Sequence, residues 1–246
     1  MIDLHAHVLP GVDDGARDLP EALDMLRIAV AAGTKVLCAT PHQHGPTYDV
    51  PRADAETTFH ALAAAALAAG IDLELRLAAE TWYRADLPEL ARAGRLATYA
   101  TGGHRFALIE FPPTHAPPEA ADVFFRLRLE GVTPVIAHPE RNAGLRSRPT
   151  EALALRSAGA LLQVTAGALT GEFRAEVRDC AKWLAKKGAI DLLASDAHRR
   201  DRRMPGLAEG AEVLARWAGR AAVGRATEDV PAAILEGREA PGGPAA

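Results

Sequence analysis

Thiols are scarce in this chain, with Cys38 and Cys180 its only cysteines. Two in 246 residues cannot build a disulfide framework, so a reducing compartment, the cytoplasm, is expected. Their surroundings also exclude a cysteine-dependent phosphatase. That chemistry needs a thiolate and an arginine in one phosphate loop, and six residues beyond the two cysteines stand His44 and Lys186. Aromatic residues are few as well, 5% against 48% hydrophobic. The core must therefore rest on Ala, Leu and Val, as layered barrels prefer. The longest apolar stretch, 61–69, is too short to cross a bilayer, and no membrane insertion is expected. The opening residues Met1-Ile2-Asp3-Leu4-His5 put no basic segment ahead of an apolar one, so no secretory leader is expected. Excess positive charge is missing too. A formal net charge of -4 disfavours non-specific nucleic-acid binding, and no nucleic-acid partner is expected.

What is present is a rhythm. Short runs rich in Leu, Val and Ile at 2–5, 35–39, 72–78, 106–110, 134–137, 161–165 and 190–194 have the length of buried strands. Helical patterns lie between them. Asp18 is placed to cap one, with Pro20 and Glu21 in its first turn and Gly33 at its end. Others span 51–69, 117–130 before Gly131, 149–158 before Gly159, and 171–187 before Gly188. Repeated strand–helix units imply a parallel sheet. Seven of them in a chain of this length suit a closed α/β barrel better than an open sheet. One domain is expected over 1–239, and the Pro/Gly/Ala-rich residues 240–246 are expected to be a disordered tail.

The unusual polar residues stand just beyond these strands. The first strand leads to His5 and His7, the second to His42, the third to Glu80. The fourth ends in Glu110, the fifth runs into His138, and the seventh into Asp196 and His198. In such barrels catalytic groups gather at the C-terminal strand ends, where the loops converge. Asp14, in the Gly11-Val12-Asp13-Asp14-Gly15 loop, can reach the same rim. A single histidine at a strand end is more often hydrogen-bonded than ligating. The whole set at one rim is what points to a metal site. Imidazole and carboxylate without thiolate favour Mn²⁺, Fe²⁺ or Zn²⁺. Nine candidate ligands exceed the needs of one ion, so two or three are expected, as in sites for phosphoester hydrolysis.

The motifs carry a resemblance. Met1-Ile2-Asp3-Leu4-His5-Ala6-His7, Val12-Asp13-Asp14-Gly15 and Ala39-Thr40-Pro41-His42 are similar to the polymerase-and-histidinol-phosphatase (PHP) superfamily. A branch is indicated by Ala79-Glu80-Thr81-Trp82-Tyr83, Ala107-Leu108-Ile109-Glu110-Phe111, Thr133-Pro134-Val135-Ile136-Ala137-His138-Pro139-Glu140-Arg141 and Ala194-Ser195-Asp196-Ala197-His198. These resemble the bacterial manganese-dependent protein tyrosine phosphatases associated with capsule and exopolysaccharide synthesis. The resemblance runs from Met1 to Glu239. It implies a distorted TIM-like (β/α)7 barrel holding three Mn²⁺ ions. His5, His7, Glu80 and Asp196 would hold one ion. Glu80, as a bridge, with Glu110 and His138 would hold the second, and Asp14, His42 and His198 the third. A hydroxide between the metals would attack phosphorus in line. Arg141 would bind the phosphate, and Arg203 resembles a second arginine of the family. The implied partner is a phosphotyrosine protein, the C-terminal tail of a bacterial tyrosine kinase. One departure stands out. Many relatives carry basic residues after the motif histidine, whereas this chain reads Gln43-His44-Gly45-Pro46.

Two rival functions use the same residues. One is a PHP phosphatase acting on a small phosphate monoester such as histidinol phosphate. The other is a metal-bound scaffold with weak catalysis. A nuclease would share the metals, but the acidic balance argues against it.

Overall fold

All strand pairings are parallel in the computed structural model, which describes residues 1–241. The strands are β1 Ile2–Ala6, β2 Val36–Ala39, β3 His42–Gln43, β4 Glu74–Leu77, β5 Glu80–Trp82, β6 Arg105–Glu110, β7 Val132–Ala137, β8 Leu161–Thr165 and β9 Leu192–Ala194. They form a three-stranded sheet, β1-β2-β4, and a six-stranded one, β3-β5-β6-β7-β8-β9.

The two sheets are parts of one ring. Only Thr40 and Pro41 separate β2 from β3, and only Ala78 and Ala79 separate β4 from β5. Pro41 has no amide proton to give to a ladder. The chains stay tied across this break, with the Ala78 amide donating to Ala39 O at 2.9 Å and the Glu80 amide to Pro41 O at 3.1 Å. β2–β3 and β4–β5 are thus two bent strands, each passing from one sheet to the other. This leaves seven staves, as the alternation in the sequence predicts. The last meets the first beyond β9. There the Asp196 amide donates to His5 O and the His7 amide to Ala197 O, both at 2.8 Å. The ring is distorted because β4 pairs with β2 and no described strand bonds its other edge.

Alternation along the strands divides the core. Leu4, Cys38, Phe106, Leu108, Val135, Leu161 and Leu192 pack together in one cluster. Val230 and Ile234, from the helix Val230–Leu235, join that cluster and fill one end of it. The intervening residues Leu37, Ile109, Ile136 and Leu162 pack in two other clusters that include the surrounding helices. Layers of small and branched aliphatics suffice for this, which is why so few aromatics are needed.

Several element ends follow the sequence signals. Asp18 accepts from the Glu21 amide at 2.9 Å, and Gly33 ends that helix at φ +84°. The expected helix at 171–187 is corrected. A short helix, Ala166–Thr170, stops at Gly171 with φ +93°, and a second, Ala175–Lys186, begins after it. The helices Leu87–Arg92, Ala143–Ser147 and Ala208–Ala218 were not expected; the first two are short, whereas the third carries an amphipathic pattern that buries Ala211, Val213 and Leu214. No helix among the described residues is long and apolar enough to cross a membrane. Of the expected tail at 240–246, residues 242–246 lie outside the described residues.

Candidate metal centre

Every site residue expected from the sequence comes to the rim formed by the C-terminal strand ends. His5 and His7 leave β1 with both rings buried. Each is aimed by a bond at its other nitrogen. His5 Nδ1 donates to Gln163 Oε1 at 2.9 Å, and His7 Nδ1 donates to Asp13 Oδ2 at 2.9 Å. Their Nε2 atoms are thereby left to face the centre, 3.2 Å apart. Asp3 ties the two ends of the ring beneath them by accepting from the amides of His5 and Ser195.

Two buried carboxylates meet these imidazoles. Glu80 Oε2 lies 3.3 Å from His5 Nε2 and 3.2 Å from His7 Nε2. Asp196 Oδ1 lies 3.3 and 3.5 Å from the same atoms. His42, the first residue of β3, puts Nδ1 3.2 Å from Glu80 Oε2 and 3.6 Å from Glu110 Oε2. Asp14 Oδ1 stands 3.4 Å from both His42 Nε2 and His198 Nε2. His138 Nε2 is 2.9 Å from Glu80 Oε1 and 3.9 Å from Glu110 Oε1. Glu80 therefore touches four histidines with its two oxygens.

Three overlapping groups have ligand atoms within 4.8 Å of one another: His5, His7 and Asp196; His7, Asp14, His42 and His198; and His42, Glu80 and Glu110. The first lies within the set that the resemblance gives one ion, and the second contains the set it gives the third. His138 stands beside Glu80 and outside the three groups. Asp14 Oδ1 and Asp196 Oδ1 are buried and accept no hydrogen bond. A buried carboxylate oxygen without a donor is costly. Here each faces imidazole nitrogens that can share a cation with it, so the donor set fits divalent ions of borderline or hard character.

The electrostatics point the same way. Burial, together with the nearby Glu80 carboxylate, pushes Glu110 up to about 7. Burial and the Arg141 charge push His138 down to about 4, keeping its ring neutral with a free lone pair at neutral pH. Burial also opposes the charge on Glu80, but His5 and His138 more than offset it and hold that carboxyl well below its ordinary range. Glu110 thus sits where negative charge is in excess, which bound cations would relieve.

The two arginines arrive together. Arg141 and Arg203 both donate to Asp196 Oδ2. Among the described residues, the non-glycine positions with positive φ are His44, His138, Asp196 and Arg203. Three of these four belong to the site. Such backbone costs about 1–3 kcal/mol each and persists where the surroundings over-determine it.

Three neighbours were not singled out from sequence. Asp13 orients His7 and also accepts from the His42 amide at 3.2 Å. Its signal was present, an acid six residues beyond a ligand. Gln163 was visible as the one amide side chain within a mostly apolar strand, Leu161-Leu162-Gln163-Val164-Thr165. Tyr48 stacks on the His42 ring, centroids 6.0 Å apart and 11° between planes, and no sequence signal marks it. His44 turns toward Asp49, its Nδ1 3.8 Å from Oδ1.

Comparison with known proteins bears on this geometry. Residues 1–236 match the family model described as capsular polysaccharide synthesis, CpsB/CapC. The tyrosine-protein phosphatase YwqE of Bacillus subtilis is 35% identical over 199 residues, covering 80% of this chain and 77% of the relative. The tyrosine-protein phosphatase CpsB of Streptococcus agalactiae is 24% identical over 221 residues, covering 88% and 90%. A crystal structure from work on YwqE of Bacillus subtilis and CpsB of Streptococcus pneumoniae, described as unique metal-dependent tyrosine phosphatases, superposes with a TM-score of 0.90 at 32% identity. It covers 97% of this chain and 96% of that one. Histidinol phosphate phosphatase of Lactococcus lactis superposes with a TM-score of 0.58 at 13% identity, covering 89% and 93%, a likeness of fold alone.

Proposed function

The chain belongs to the CpsB/CapC family of capsular polysaccharide synthesis, and on that premise we propose that it is a metal-dependent protein-tyrosine phosphatase. The carrying observation is the convergence of imidazoles, carboxylates and two arginines on one rim. The substrate is a phosphotyrosine protein, the C-terminal tail of a tyrosine kinase controlling capsule or exopolysaccharide synthesis, and the compartment is the cytoplasm. An extended tail suits a rim that opens on the strand ends.

The centre would take three divalent ions, Mn²⁺ in the cell. His5, His7, Glu80 and Asp196 would hold one and Asp14, His42 and His198 another. Glu80, Glu110 and His138 would hold the third. Bound ions supply Lewis acidity, which acidifies water and offsets phosphoryl charge. The chain's own groups do the rest. Gln163 and Asp13 fix the His5 and His7 tautomers so that both Nε2 lone pairs face inward. Arg141 and Arg203 present guanidinium N–H groups to the phosphoryl oxygens, a geometry that suits a fork of donors. Their positive charge stabilises the equatorial oxygens as the ester bond breaks.

The test is phosphate release from a phosphotyrosine peptide after chelation, with and without added Mn²⁺, in competition with histidinol phosphate. Release that returns only with metal and resists the competitor supports this function. Preferred turnover of histidinol phosphate would move the chain to small monoesters. Absence of release from either substrate with metals bound would leave a scaffold.

A further inference from the structure

One dipeptide, Glu172-Phe173, holds both arginines from behind. The Arg141 guanidinium carbon lies 5.1 Å from the centre of the Phe173 ring, within the range of a cation–π contact. The Arg203 amide donates to Glu172 Oε1 at 2.7 Å. Arg203 has φ +47°, a left-handed backbone that a residue with a Cβ adopts only when held there. Glu172 supplies that hold on one side, and the His198 amide, donating to Arg203 O at 2.9 Å, closes the loop on the other.

The dipeptide is itself fixed in place. It follows the short helix Ala166–Thr170, and Gly171 turns the chain at φ +93°. The amides of Gly171 and Glu172 both donate to Gly167 O, at 3.1 and 2.9 Å. A Cβ at Gly167 would collide with the Glu172 carboxylate. Phe173 is half-buried and packs against the main core cluster. The loops after β7, β8 and β9 therefore meet here. The first carries Arg141, the second the dipeptide, the third Arg203.

A lone arginine over an aromatic ring is a common surface contact, and so is a carboxylate near a backbone amide. Two adjacent residues that each grip a different arginine, where both arginines donate to one oxygen of Asp196, go further than either. Phe173 restrains the Arg141 guanidinium itself, so an anion that binds there avoids part of the rotamer entropy cost, and Glu172 fixes the backbone from which the Arg203 side chain leaves.

We propose that Glu172-Phe173 is a positioning clamp that sets the spacing and direction of Arg141 and Arg203 for a phosphoryl dianion. This rests on the phosphatase function proposed above. Neither residue touches substrate, so the clamp acts on anion binding and turnover and leaves metal content alone.

The experiment uses the metal-loaded full chain. Metal content, kcat and KM for a phosphotyrosine peptide, and the inhibition constant of inorganic phosphate are measured for Phe173→Leu, Phe173→Tyr, Glu172→Ala, Glu172→Gln and Arg141→Ala. Phe173→Leu keeps apolar bulk and removes the π face. It is expected to raise KM and the phosphate inhibition constant by about fivefold with metals retained, and Phe173→Tyr to restore both. Glu172→Ala should act likewise and Glu172→Gln restore it. Because Glu172 is exposed, that pair serves if Phe173→Leu does not fold. Wild-type KM and phosphate inhibition in Phe173→Leu and Glu172→Ala, with Arg141→Ala crippled, would overturn the clamp alone. Loss of metal from both variants would also overturn it, in favour of a purely structural role. An unimpaired Arg141→Ala would instead remove Arg141 from anion binding and overturn the clamp with it, whereas no phosphate release by the metal-loaded wild type would overturn the phosphatase function beneath it.

Discussion

At the scale of single residues, the proposed site separates candidate ligands from the groups that aim them. His42 lies beyond the core, between Asp14 and Glu80. Its replacement, His42→Ala, is expected to lose metal and turnover while leaving the circular dichroism unchanged. Full metal content and a wild-type rate would remove it from the site. Asp13 acts one bond further out, through His7 Nδ1. Asp13→Asn should cost about 10- to 100-fold in metal affinity or activity, read by metal titration of the apoprotein, and an unchanged affinity would refute that role. Arg141 offers charge without ligation. Arg141→Ala should retain the metals and lower kcat by about 10²–10³-fold, the usual loss for one charge-stabilising donor. A rate within error of wild type would dismiss it.

At the scale of elements, the turn after β7 shows how a motif can serve two ends. His138 and Arg141 point into the site, while Glu140 between them is buried and accepts from the Thr165 amide at 3.0 Å. It thereby ties the turn after β7 to the end of β8. Burial pushes its carboxyl from 4.5 up to about 7. Through that window the unfolded chain releases the proton while the folded chain keeps it. Stability therefore falls as pH rises from 4.5 to about 7, by no more than about 3 kcal/mol. Glu140→Gln keeps an acceptor for Thr165 and has no proton to lose. Thermal melts across this range should show the variant gaining on wild type as pH rises. A constant difference in Tm would mean that Glu140 is ionised in the folded chain.

At the scale of the whole molecule, metal chemistry and stability occupy different parts of the barrel. Ile234 is buried among Leu4, Val135 and Leu192, away from the rim. Ile234→Ala should lower the unfolding free energy by about 2–4 kcal/mol through cavity formation, with kcat of the surviving folded protein unchanged. Denaturant unfolding and initial rates on the same sample check both halves. A matching fall in kcat would show that the C-terminal helix feeds into the site.

How much of this was legible beforehand depends on which interactions were local. Alternating apolar runs, the Asp18 cap and the glycines at 33, 131, 159 and 188 act over a few residues, so the (β/α)7 alternation could be read from the chain. The candidate site residues could be read too, because histidine or carboxylate directly after a buried apolar run is conspicuous. What a linear sequence does not carry is which atoms meet across strands. The break at Pro41 that splits two staves into four strands is one such feature. Others are the Gln163 bond that aims His5, the Tyr48 ring over His42, and the shared hold of Glu172-Phe173 on two arginines from different loops. The Gln163 bond and the Glu172-Phe173 contacts join residues from separate strand ends, and they exist only because ring closure brings those ends to one rim.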